Sequence, residues 1–88
     1  MIKEKVKIVN DMGLHARPAA LLVDTATKFE SDFYISKKDR RVNGKSILGV
    51  MTLAAEEGTE LDLELDGPDE EEAAKKILEL FVKGFGEQ

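Results

Sequence analysis

Residues 13–20, Gly-Leu-His-Ala-Arg-Pro-Ala-Ala, gather the side chains of this sequence best suited to chemistry. His15 is the sole histidine, Arg17 stands two residues on, and Pro18 precedes a run of helix formers, Ala19, Ala20, Leu21 and Leu22. Proline is favoured in the first turn of a helix, where the N–H it lacks would find no intrahelical acceptor. This places His15 at a helix start, beside unused backbone N–H groups and the positive end of the helix dipole. Such a place suits phosphate. The dipole disfavours an imidazolium, and the neutral ring is the nucleophilic form. Arg17 adds a planar fork of donors matched to phosphate oxygens. The chemistry on offer is acceptance of a phosphoryl group by His15, stabilised by Arg17 and by the helix N-terminus at Ala16 and Pro18. A lone histidine near a helix start is also commonly a surface or hydrogen-bonding residue, and spacing by itself leaves both readings open.

A second stretch worth weighing runs from Asn43 to Leu53, Asn-Gly-Lys-Ser-Ile-Leu-Gly-Val-Met-Thr-Leu. Asn43-Gly44 breaks the chain, and Ser46 can cap a short helix reaching about Ala54. Ile47, Leu48, Val50, Met51 and Leu53 are more apolar than one face of a short helix can bury, and Val50 is assigned to the core.

His-Ala-Arg-Pro-Ala at 15–19 closely resembles the active-site motif of the histidine-containing phosphocarrier (HPr) family of the bacterial sugar phosphotransferase system. Residues 43–53 resemble that family's regulatory serine and its short helix, and the two motifs stand at a family-like separation. The resemblance implies that Nδ1 of His15 takes a phosphoryl group from phosphorylated enzyme I and passes it to sugar-specific enzyme II A components. It implies a carrier with a shallow, exposed site rather than a free-standing enzyme, and no cofactor. It further implies that Ser46 is, in part of the family, the target of a kinase/phosphorylase and is read by a transcriptional regulator. Ala20, Ile47, Leu48 and Met51 would form a docking patch for several partners, which suits the adaptable shape of methionine. Leu48 stands where many family members carry methionine. An alternative is a regulatory binding module of a nitrogen-related or catabolite-control branch, acting through Ser46 and the Ile47/Leu48/Met51 patch. The retained nucleophile argues against it. A hydrolase using His15 as general base lacks a nucleophile or metal partner at readable spacing.

Composition narrows the field. Eighty-eight residues suit one domain, spanning 1–88, with a core of modest margin. With no cysteine and one histidine, disulfides, thiol chemistry and His-rich zinc sites are not expected, and no metal site is assigned. No apolar run approaches the roughly 18 residues of a membrane span, and the first residues lack a signal-like apolar region, so a cytoplasmic location is expected. Residues 1–45 hold ten Lys/Arg against six Asp/Glu, whereas residues 46–88 hold three against twelve, giving +4 and −9 and a net −5. That acidic balance, without a basic-aromatic stripe, argues against nucleic acid as a partner.

The elements that must position these residues follow from periodicity. Ile2–Val9 alternates, with Lys3, Lys5 and Lys7 on one face and Glu4 the exception on the other. Asn10–Leu14 is a loop delivering His15, and a helix runs from Ala16 to about Lys28 with Ala19, Leu22, Val23 and Ala26 inward. Phe33 and Ile35 mark a second strand, 37–39 a turn, and Arg40–Asn43 a third strand. Thr59–Asp66 sets Leu61, Leu63 and Leu65 against Glu60, Asp62, Glu64 and Asp66. Those carboxylates call for a cationic row opposite, and the Lys3/Lys5/Lys7 row predicts that the first and last strands are neighbours. After Gly67-Pro68, Asp69 is the expected N-cap of a third helix ending near Lys83-Gly84, with loose residues beyond. Its buried stripe is Ala73, Ile77, Leu80, Phe81 and Gly84 or Phe85. The order β-α-β-β-α-β-α, with one polar face on every strand, predicts an α+β two-layer open-faced sandwich. A four-stranded antiparallel sheet would carry three helices on one face.

Overall fold

The alternating segments form a four-stranded antiparallel sheet in the computed structural model, which describes residues 1–86. In chain order the elements are β1 (Ile2–Lys7), α1 (Ala16–Thr27), β2 (Asp32–Lys37), β3 (Arg40–Asn43), α2 (Ile47–Thr52), β4 (Glu60–Asp66) and α3 (Glu70–Val82). A 3-10 turn, Gly84–Gly86, follows α3. The strands lie in the order β1-β4-β2-β3, so the first and last strands are neighbours, as their charge rows predict.

The register is the one that electrostatics favours. Lys3 faces Glu64, Lys5 faces Asp62 and Lys7 faces Glu60. On the same face Arg41 bonds Glu64 at 3.0 Å and lies over the Tyr34 ring, 3.9 Å from its centroid. The opposite face carries Val6, Phe33, Ile35, Leu61, Leu63 and Leu65, all buried beneath the helices. Leu22 of α1, Val50 of α2, and Ile77 and Phe81 of α3 complete this core. Glu4 has core-facing parity yet is exposed on the edge strand.

Several boundaries differ from expectation. Regular β1 stops at Lys7, although Ile8 still exchanges backbone bonds with Thr59 and Gly58 and is buried. Lys37 belongs to β2 rather than to the turn, because its backbone pairs with Arg40. The helices α1 and α2 stop at Thr27 and Thr52, and β4 begins at Glu60.

Asp69 occupies the N-cap position of α3, but its side chain makes no capping bond. The carboxylate turns instead to the loop after α1, accepting from the Glu30 and Ser31 N–H groups and from the Ser31 hydroxyl. Beyond Gly84 the chain is not loose at Phe85. Left-handed φ values at Gly84 and Phe85 fold the chain back, and the Phe85 ring packs edge-on against Phe81 with centroids 5.0 Å apart. Glu87 and Gln88 lie outside the described residues.

Candidate active site

The loop from Asn10 to Leu14 is built to hold the next residue still. Asn10 accepts from the Gly13 N–H at 3.1 Å and donates through Nδ2 to the Gly13 carbonyl at 2.8 Å. Leu14 is buried, and its N–H donates to the Ala55 carbonyl at 2.9 Å. The loop therefore rests on the segment that follows α2.

His15 is the N-cap residue of α1, with extended backbone (φ −77°, ψ −172°) and no side-chain capping bond. Its carbonyl accepts the first intrahelical bond, from Ala19 N–H at 3.0 Å. Helix geometry then leaves the Ala16 and Arg17 N–H groups ahead of the hydrogen-bonded ladder, at the positive end of the dipole. Both residues are exposed, and His15 is half-buried. Pro18 has no N–H to offer and its ring is buried. It can shape the helix start, while the donors at this terminus come from Ala16 and Arg17. His15 borders a shallow depression of about 250 Å³ shared with Met12, Met51 and Ala54. A phosphoryl group there could be reached by another protein.

Ser46 is the N-cap of α2, and its Oγ accepts from Gly49 N–H at 3.1 Å. The six-residue helix divides sharply. Val50 is fully buried, whereas Ile47, Leu48 and Met51 are 40%, 75% and 40% exposed. Ala20 is exposed on α1, which packs against α2. The structure thus brings His15 and Met51 to one depression and leaves Ala20, Ile47 and Leu48 at the surface.

Two further exposed apolar residues were not singled out by the sequence. Met12 shares the depression with His15, and Leu21 lies one helical turn beyond Arg17. The available signals were an apolar residue in a turn-rich loop and the i, i+4 spacing from Arg17. Among the described residues no group of three or more His, Cys, Asp or Glu is placed to hold a metal ion. No helix among them is long and apolar enough to cross a membrane.

The family model described as the PTS HPr component phosphorylation site matches residues 2–83. The Phosphocarrier protein HPr of Neisseria meningitidis serogroup A is 47% identical over 87 residues, covering 99% of this chain and 98% of its own. The HPr-like protein Crh of Bacillus subtilis is 47% identical over 77 residues, covering 88% and 91%. The crystal structure of HPr-C-His from Thermoanaerobacter tengcongensis superposes with a TM-score of 0.96 at 45% identity, covering 100% and 99% of the two chains.

Proposed function

The chain belongs to the HPr family of phosphocarriers of the phosphotransferase system, and from that premise we propose that Nδ1 of His15 is the phosphoryl acceptor. The donor is phosphorylated enzyme I, and the receivers are sugar-specific enzyme II A components. The bond from phosphorus to the donor breaks as the bond to the Nδ1 lone pair forms, and the second transfer reverses the roles. Phosphoryl transfer is catalysed chiefly by positioning and by stabilising charge on the three equatorial oxygens. The Ala16 and Arg17 N–H groups and the Arg17 guanidinium supply that stabilisation. The observation that carries this reading is the place of His15, on an N-cap with the open start of α1 beside it. An open site suits a carrier, because the P–N bond must be made and broken by visiting proteins.

The test is incubation with enzyme I and labelled phosphoenolpyruvate, followed by mapping of the acid-labile label. His15→Ala is expected to abolish uptake while leaving the circular dichroism spectrum intact. Undiminished uptake by that variant would overturn the assignment.

Ser46 supports regulation of the same docking face. Phosphate on Oγ would add a dianion beside Ile47, Leu48 and Met51, which changes partner choice without touching His15. In this reading a kinase/phosphorylase writes the mark and a transcriptional regulator reads it, and the chain acts as one 88-residue cytoplasmic domain. Phospho-Ser46 in cells, with phospho-His15 never found, would favour a purely regulatory module.

A further inference from the structure

The segment after α2 forms one wall of the His15 depression, through Ala54 and Ala55. Its backbone is unusual. Ala54 has φ +50°, the left-handed region that strains a residue with a Cβ. The same segment supplies the Ala55 carbonyl that holds Leu14, the residue before His15. Gly13 is pressed so closely against it that an added Cβ would stand 2.9 Å from Glu56 Cα. Whatever fixes residues 53–55 therefore fixes the seat of the His15 loop.

One side chain from another element does this. Lys37 closes β2 on the helix-facing parity of Phe33 and Ile35, and its Nζ donates to the Leu53 carbonyl at 3.0 Å and the Ala54 carbonyl at 3.2 Å. Helix α2 has no basic residue in its own last turn, so this ammonium also serves the negative end of the helix. We propose that Lys37 is a positioning residue for the phosphoryl-transfer site, clamping the left-handed turn at Ala54 so that the Ala55 carbonyl can hold the His15 loop in register. Lys37 does not line the His15 depression. Its effect passes through Ala54, Ala55 and Leu14. The proposal rests on His15 as the acceptor only for its kinetic part.

The experiment combines Lys37→Met with two readouts. Without any phosphoryl donor, amide hydrogen exchange at Leu14 should accelerate about tenfold while exchange at Leu63 in β4 is unchanged. Equal change at both amides, or none, would overturn the clamp whatever His15 does. With phospho-enzyme I as donor, KM should rise about threefold or more with kcat within about twofold, and Lys37→Arg should restore it. Wild-type kinetics in Lys37→Met, beside faster exchange at Leu14, would overturn the link to transfer. Ala54→Gly provides the second test, since glycine adopts the left-handed turn without strain. In that background Lys37→Met should alter KM by less than about twofold. An equal loss in both backgrounds, or failure of both Lys37→Met proteins to fold, would overturn the proposal.

Discussion

Gly13 is constrained twice over. Its φ of +67° favours a residue without a Cβ, and an added Cβ would stand 2.2 Å from the Ala55 carbonyl oxygen. Backbone must move to admit a methyl group there, and that backbone seats His15. Gly13→Ala should therefore destabilise the fold by about 2–4 kcal/mol, summing left-handed strain and overpacking. It should also slow phosphoryl uptake beyond what the lost folded fraction explains. Urea denaturation and uptake from phospho-enzyme I, measured on one preparation, check both. The placement of the candidate residues at a helix start was readable because it is local. His15, Ala16, Arg17 and Pro18 are consecutive, and a helix start dictates which N–H groups face outward. Met12 was not readable in that way. Its place beside His15 depends on the turn at Gly13 and on the approach of Met51 from another helix.

At the scale of elements, Asp69 joins the start of α3 to the loop after α1. The Ser31 hydroxyl, followed by the Glu30 N–H, holds the Asp69 carboxyl below its ordinary value of 3.8. The Gly67 N–H, followed by the chain's amino terminus, likewise lowers Glu70 from 4.5. A carboxyl whose pKa is depressed by folding contributes stability that is fully present above the unfolded value. That contribution is lost as pH falls through the folded value. Asp69→Asn should therefore lower Tm near neutrality, and the gap from wild type should close below about pH 4. A gap that persists in acid would show that the carboxylate's charge is not what matters. The sequence marked this residue as a helix start but could not show its partners, which are 38 and 39 positions away. The pairing of β1 with β4 was readable at long range, because a row of lysines and a row of carboxylates complement only in one arrangement. Lys5–Asp62, an ion pair between these rows, is exposed and 4.0 Å long, so the rows fix register more than they add stability. Lys5→Glu should cost about 1 kcal/mol at low salt, and adding Asp62→Lys should restore most of it. Urea midpoints at two ionic strengths measure this.

On the scale of the whole molecule, the two faces of the sheet have separate duties. One is a charged, open surface, and the other is the floor of the core, roofed by the helices. The roof in turn has an outer side, where Met12, Leu21, Ile47, Leu48 and Met51 are exposed. Exposed apolar residues gathered beside a helix-start histidine mark a contact surface better than scattered ones do. They also separate function from stability within six residues. Leu48 is 75% exposed and Val50 is fully buried on the same helix. Leu48→Asp removes no core packing, so folding stability should stay within the spread of ordinary surface changes, about 0.5 kcal/mol. On the proposed docking face, phospho-enzyme I and the enzyme II A components would each meet a charge in place of an apolar side chain. The KM for transfer should rise about tenfold with kcat nearly unchanged. Val50→Ala should do the reverse, losing about 2 kcal/mol of stability while leaving KM within about twofold in the folded fraction. Steady-state transfer kinetics and thermal denaturation of the two variants, compared side by side, test whether the roof of this fold is inert packing within and a meeting surface without.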